Sequence, residues 1–181
     1  MATIDAPATD LAREVADLTA RRDIMDAVCR YMRGQDRCEP DLQKSAFHPD
    51  AYIDCGPVKG DVDTFVGYAQ QGLAGCDFTH HLIGQVQLKV DGDRASGEVY
   101  FTAYHRIPLD GIAQDMIFGG RYVDEYACRQ GEWRIQKRRE ICDWTRTVPA
   151  ADRFTELEPD YVRGGRGGRD FSSMRDWPGL S

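Results

Sequence analysis

The sequence predicts an α+β fold in which helices pack on one face of a strongly bent antiparallel sheet. Helical periodicity is confined to the part of the chain before Thr79. Four long strand-like runs follow it, joined by short turns, and no strand alternates with a helix in βαβ fashion. The absence of a Gly-rich loop after any strand also removes the usual signal for a nucleotide.

Thr9 is placed to cap a first helix, with Leu11, Val15 and Leu18 spaced as one helical face. The stripe continues through Ile24, Met25, Val28, Tyr31 and Met32 and stops at Gly34, read as a C-terminal cap. This is one long amphipathic helix, or two with a kink near Thr19. A short helical turn is expected from Asp41 to Phe47, then a turn and a short strand in "HPDAYIDCG". "GDVDTFVGYAQQGL" carries acids at its start and apolar Phe65, Val66, Ala69 and Leu73, the marks of a third helix.

"THHLIGQVQLKV" and "RASGEVYFTAYHRIPL" flank "DGD", and "QDMIFGGRYVDEYACR" and "WRIQKRREICDWTRTV" flank "QGE"; both read as hairpins. Strict alternation puts Leu82, Val86, Leu88 and Val90 on one face of the first strand and His81, Ile83, Gln85, Gln87 and Lys89 on the other. In the last strand it sets Trp133, Ile135 and Ile141 against Arg138, Cys142 and Trp144. Aromatic and polar residues mix on the second face of these strands, unlike a sheet that simply meets water. Such mixing fits a sheet with one dry face and one face enclosing a semi-polar cavity.

The chain has 181 residues, 41% hydrophobic and 29% charged, with a net charge of −7. An acidic chain gains nothing by releasing counterions from a phosphate backbone, so nucleic acid is not an expected partner. No apolar run approaches the roughly 20 residues that cross a bilayer. The first residues carry acids and lack a basic-then-apolar leader, and the six cysteines form no C-x-x-C pair. A cytoplasmic location with free thiols is therefore expected. Domain 1–147 is followed by an irregular tail, 148–181, in which "RGGRGGR" superficially resembles an RNA-binding segment. That tail holds five Arg against six acids, so a strap on its own domain or on a neighbouring subunit is expected instead.

Taken singly, Tyr31, Asp36, His81 and Arg138 have ordinary readings as core aromatic, turn acid, half-buried histidine and strand cation. Together they make chemical sense. An imidazole serves as a base near neutrality, a carboxylate fixes its tautomer, and a tyrosine or arginine donates to a developing oxyanion. No metal or cofactor is expected: His-x-x-x-His and His-x-His spacings are absent.

"RRDIMDAVCRYMRGQDRCEPDLQKSAFHPDAYID", "THHLIGQVQLKVDGDRASGEVYF" and "GGRYVDEYACRQGEWRIQKRREICDW" resemble the SnoaL-like branch of the nuclear transport factor 2-like superfamily, over roughly residues 10–146. The resemblance implies a cone-shaped α+β fold whose bent, antiparallel-rich sheet and about three N-terminal helices enclose a pocket, often in trimers. It also implies cofactor-independent elimination by an Asp–His pair, as in dehydratases and dehydrochlorinases of that branch. Asp36 matches the family aspartate after the first helix, and His81 the histidine entering the first long strand. Tyr31 matches a tyrosine five before the aspartate, and Arg138 an arginine of the final strand. His80 has no counterpart. Tyr31 stands where the dehydrochlorinase has a lysine nearby, which disfavours a halogenated substrate.

The expected activity is thus a lyase, most simply a dehydratase, acting on a small hydrophobic ring-bearing molecule. Tyr52, Phe65, Phe101, Tyr104, Phe118 and Trp144 are the expected substrate-binding aromatics, and a homotrimer is favoured over a dimer. Formaldehyde release from a lignin-derived diaryl compound and a ketosteroid-type isomerisation use the same groups. A non-catalytic assembly subunit, such as the small subunit of a ring-hydroxylating dioxygenase, is the alternative of another class.

Overall fold

The long first helix and the strand-rich remainder meet around one apolar core in the computed structural model, which describes residues 8–177. Helix α1 (Ala8–Asp36) runs unbroken past Thr19, and it begins before Thr9, which therefore does not occupy the cap position. Its stripe is buried only from Ala20 onward, through Ile24, Val28, Tyr31 and Met32; Leu11, Val15 and Leu18 are exposed. Helix α2 (Pro40–Lys44) is shorter than expected, because strand β1 (Phe47–Cys55) already begins at Phe47. A three-residue strand β2 (Val58–Gly60), too short to leave a periodic signal, precedes α3 (Val62–Ala74). The Asp61 carboxylate caps α3 by accepting from the Thr64 N–H at 2.8 Å.

Strands β3 (Phe78–Asp91), β4 (Arg94–Leu109), β5 (Ile112–Arg129) and β6 (Glu132–Pro149) follow as a continuous meander. The two expected hairpins are joined by a third turn at Asp110–Gly111, where both residues take positive φ. The sheet is open and mixed, in the order β2-β1-β6-β5-β4-β3, with β1 parallel to β6 and every other pair antiparallel. The helices lie against its concave face, and the core is built of Ile24, Val28, Phe47, Ile53, Val99, Tyr122, Tyr126 and Ile135.

Within β3 and β6 strict alternation fails at three places, and each failure moves a side chain that matters. A register shift between Ile83 and Val86 puts His81 and Ile83 on the same inner face as Val86, Leu88 and Val90, and leaves Leu82 exposed. An extra residue at Gln136 brings Arg138 to the same buried side as Trp133 and Ile135. Another at Asp143 turns Trp144 outward, where continued alternation from Arg138 would have pointed it in.

Gly34 is not a cap, since α1 continues through it to Asp36. A Cβ at Gly34 would stand 2.5 Å from the Gln43 backbone nitrogen, so the glycine is what lets α2 cross α1 closely. At an open helical position, alanine in place of glycine stabilises by about 1 kcal/mol. Here Gly34→Ala is expected to destabilise by about 1–3 kcal/mol in urea denaturation, through the forced separation of the two helices.

Candidate active site

Helix α1 ends at Asp36, beside the first residues of β3, and the two segments are joined by side-chain chemistry. The Asp36 Oδ1 lies 2.7 Å from His81 Nδ1, and Oδ2 accepts the His81 backbone N–H at 2.9 Å. Thr79 adds a third link, its hydroxyl donating to the Asp36 carbonyl at 3.4 Å. Burial works against the Asp36 charge, but the ring and backbone hydrogen bonds from His81 outweigh it and hold the carboxyl below its ordinary range. An ionised carboxylate only accepts, so the proton of a neutral His81 resides on Nδ1 and Nε2 keeps its lone pair. His81 forms part of the cavity wall, whereas His80 alternates to the exposed face.

The cavity has a volume of about 530 Å³, within the range of small-molecule sites. Its apolar wall comes from α3 (Phe65, Ala69), β4 (Phe101, Ala103, Ile107) and β5 (Met116, Phe118), with Tyr31 and Tyr122 deeper in. Of the aromatics expected to bind substrate, Phe65, Phe101 and Phe118 are on this wall. Tyr52, Tyr104 and Trp144 are not. Tyr52 lies between the inward Ala51 and Ile53 and is 48% exposed. Tyr104 lies between Ala103 and His105 and donates its hydroxyl to Asp115 at 2.7 Å. Trp144 covers Gly119 on the outer face and is 51% exposed.

Arg138 also departs from expectation. It lies beneath the cavity and does not reach its wall, gripping Asp124 through Nε at 2.8 Å and Nη2 at 2.6 Å. The Tyr126 hydroxyl donates to the same carboxylate at 2.8 Å. The guanidinium carbon stands 4.2 Å from the Tyr31 ring centre and 4.0 Å from that of Tyr122. Its Nε and Nη2 are committed to Asp124 and its faces to three aromatic rings, Phe47 being the third at 5.6 Å, while among the described residues Nη1 has no hydrogen-bond partner. Tyr31 reaches the cavity with its ring edge-on to that of Tyr122, and burial pushes its pKa well up, so the group stays a donor.

The tail reaches the same region. The Arg166 guanidinium donates to the carbonyls of Leu73 at 3.1 Å and Cys76 at 2.9 Å, and Gly167 N–H donates to Arg37 at 2.7 Å. Asp170 accepts from Gly165 and Ser172 and faces Arg37 at 3.3 Å; the bonds from Ser172 and Gly165 draw its pKa down to about 2. A Cβ at Gly165 would stand 2.5 Å from the Arg169 carbonyl oxygen. The "RGGRGGR" run is therefore a tight loop clasped to residues just after Asp36 and just before His81.

Residues 16–139 match the family described as a SnoaL-like domain. An uncharacterised protein of Mycobacterium tuberculosis, Rv2910c, is 29% identical over 128 residues, spanning 68% of this chain and 86% of its own. Hexachlorocyclohexane dehydrochlorinase LinA-type3 of Novosphingobium barchaimii superposes with a TM-score of 0.67 at 18% identity, over 76% of this chain and 94% of that one. A scytalone dehydratase-like protein of Novosphingobium aromaticivorans does so with a TM-score of 0.65 at 18% identity, over 83% and 93%. At such identities the two structures share the fold.

His105 is a cavity residue that sequence reasoning did not single out. Its ring meets His81 edge to face at 5.2 Å and Phe118 at 5.9 Å, and its buried Nδ1 has no hydrogen-bond partner among the described residues. Burial, then the neighbouring His81, lowers its pKa to about 4; Asp36 opposes this and Arg166 adds to it. The signal in the sequence was its parity with Phe101 and Ala103. A histidine protonated in the unfolded chain near 6.5 but in the folded chain only near 4 costs stability as pH falls between those values. Urea denaturation should show His105→Leu losing less stability than wild type over that window, by at most about 3 kcal/mol. Equal losses would show that His105 does not carry the shift.

Proposed function

The chain belongs to the SnoaL-like family, and from that premise we propose a cofactor-independent lyase acting on a small, hydrophobic, ring-bearing substrate. The observation that carries this reading is the Asp36–His81 pair, whose imidazole lies on the wall of an apolar cavity. His81 Nε2 takes a proton from carbon next to the leaving group, and Asp36 stabilises the imidazolium that forms. The electrons of the broken C–H bond form a C=C bond as the C–O bond breaks, and the departing hydroxyl takes up the proton carried by His81 and leaves as water. The Tyr31 hydroxyl, held protonated by burial, donates to that oxygen, and Arg138 supports the tyrosine from beneath through its ring face. Phe65, Phe101 and Phe118 hold the ring.

Dehydration is the lead reaction; loss of formaldehyde or a proton shift within one molecule would use the same base. A non-catalytic assembly subunit has no use for an imidazole with a free lone pair on an unfilled cavity, which favours the enzyme. Leu82, Val123 and Trp144 on the outer sheet face, with Leu11, Val15 and Leu18 on α1, give apolar surface for further copies, and a homotrimer is our reading.

Ring-containing alcohols incubated with the protein and followed by mass spectrometry should give a product lighter by water. His81→Gln, which keeps a donor toward Asp36, should lower kcat by roughly 10²–10⁴ while leaving the unfolding midpoint close to wild type. A product lighter by formaldehyde, or an isomer of unchanged mass, would reassign the reaction; turnover untouched by His81→Gln would overturn the site. Light scattering at the mass of three chains supports the trimer, and a monomer would overturn it.

A further inference from the structure

The cavity holds a second polar group that the Asp36–His81 chemistry does not use. Glu140 on β6 lies on its wall, level with Tyr122 on β5, while His81 belongs to β3 on the far side of the β4–β5 pair. Glu140 is half-buried, and among the described residues no cation stands within ion-pair distance of it. Arg138, two residues earlier on the same strand, is bound to Asp124 at 2.6 Å. Glu140 shares this part of the wall with the Cys55 thiol. Burial and the Glu140 charge push that thiol well up, so it remains a donor, but a thiol is a weak one. A carboxylate has sites for about four hydrogen bonds, and one thiol leaves most of them open in a space whose remaining wall is largely apolar. A ligand hydroxyl that takes the place of water here gains a hydrogen bond to a charged acceptor.

We propose that Glu140 receives a hydroxyl group of the substrate, so that the natural ligand is a ring compound bearing a phenol-like hydroxyl at the end away from His81. A hydroxyl suits the place better than an ammonium group for two reasons. Its oxygen can accept in turn from the Cys55 thiol or the Tyr31 and Tyr122 hydroxyls, whereas an ammonium accepts nothing. The Arg138 cation under both tyrosine rings also disfavours a second positive charge above them. Which end of the ligand meets His81 rests on the lyase reading; the contact with Glu140 does not.

Titration calorimetry with 4-phenylphenol, its methyl ether and 4-phenylbenzylamine tests this without any turnover. On the wild-type protein the phenol should bind at least tenfold more tightly than the ether, which has no proton to give. Glu140→Gln should weaken the phenol by roughly 10- to 100-fold and leave the ether unchanged, as expected for loss of a hydrogen bond to a charged acceptor. His81→Gln should preserve the preference for the phenol. Equal binding of phenol and ether, no binding of the phenol, or indifference to Glu140→Gln would each overturn the proposal. Tighter binding of the amine would overturn the hydroxyl assignment in favour of a cation. If the phenol preference holds while no substrate turns over in a His81-dependent way, the lyase reading fails and the hydroxyl site stands.

Discussion

Everything at the mouth of this molecule depends on one carboxylate accepting twice from one residue. Asp36 takes both the ring N–H and the backbone N–H of His81, so a single side chain fixes where α1 ends and which way the imidazole faces. Two bonds to an ionised acceptor, each stronger than a neutral one, make this junction more than a pair of neighbours in contact. The backbone bond positions β3 against the helix; the ring bond sets the tautomer. Imidazole orientation and tertiary closure are thus the same interaction, and neither can drift without the other.

The narrow end of the cone is organised by a different charge pair. Asp124 and Arg138 stand directly opposite each other on β5 and β6 and are fully buried. A buried ion pair rarely stabilises more than apolar residues of equal volume, yet removal of one partner leaves a stranded charge worth about 3–5 kcal/mol. What the pair does here is place a cation under the faces of Tyr31 and Tyr122. That cation opposes the effect of burial on the Tyr31 hydroxyl without overcoming it, and the phenol remains protonated at the cavity floor.

The order of elements was legible because each rests on local signals: the stripe from Ile24 to Met32, the acids opening α3, and the Asp-Gly and Gln-Gly turns. The Asp36–His81 pair was legible through the family resemblance, since nothing local links residues 45 positions apart. The parallel pairing of β1 with β6 left no trace, because register across a parallel pair is set by distant packing and not by a turn. Tyr52, Tyr104 and Trp144 were misplaced for a related reason. An aromatic carries no mark of the face it will occupy, and one inserted residue reverses every face beyond it. Glu140 and His105 went unassigned because a carboxylate or an imidazole in a strand looks the same whether it meets water or a cavity.

Those insertions are also what allow one strand to serve two ends of a cone. With unbroken alternation, the parity that points Val86, Leu88 and Val90 into the core would turn His81 toward solvent. The irregularity between Ile83 and Val86 lets β3 contribute both core and imidazole to a single concave face. On β6 the extra residue at Gln136 lets Trp133 and Ile135 close the base while Arg138 and Glu140 supply charge above it. The one at Asp143 then expels Trp144, which would otherwise fill the mouth. Bulges sharpen bending as well as shift parity, so the three positions on β3 and β6 curve those strands and decide which of their side chains line the enclosed space.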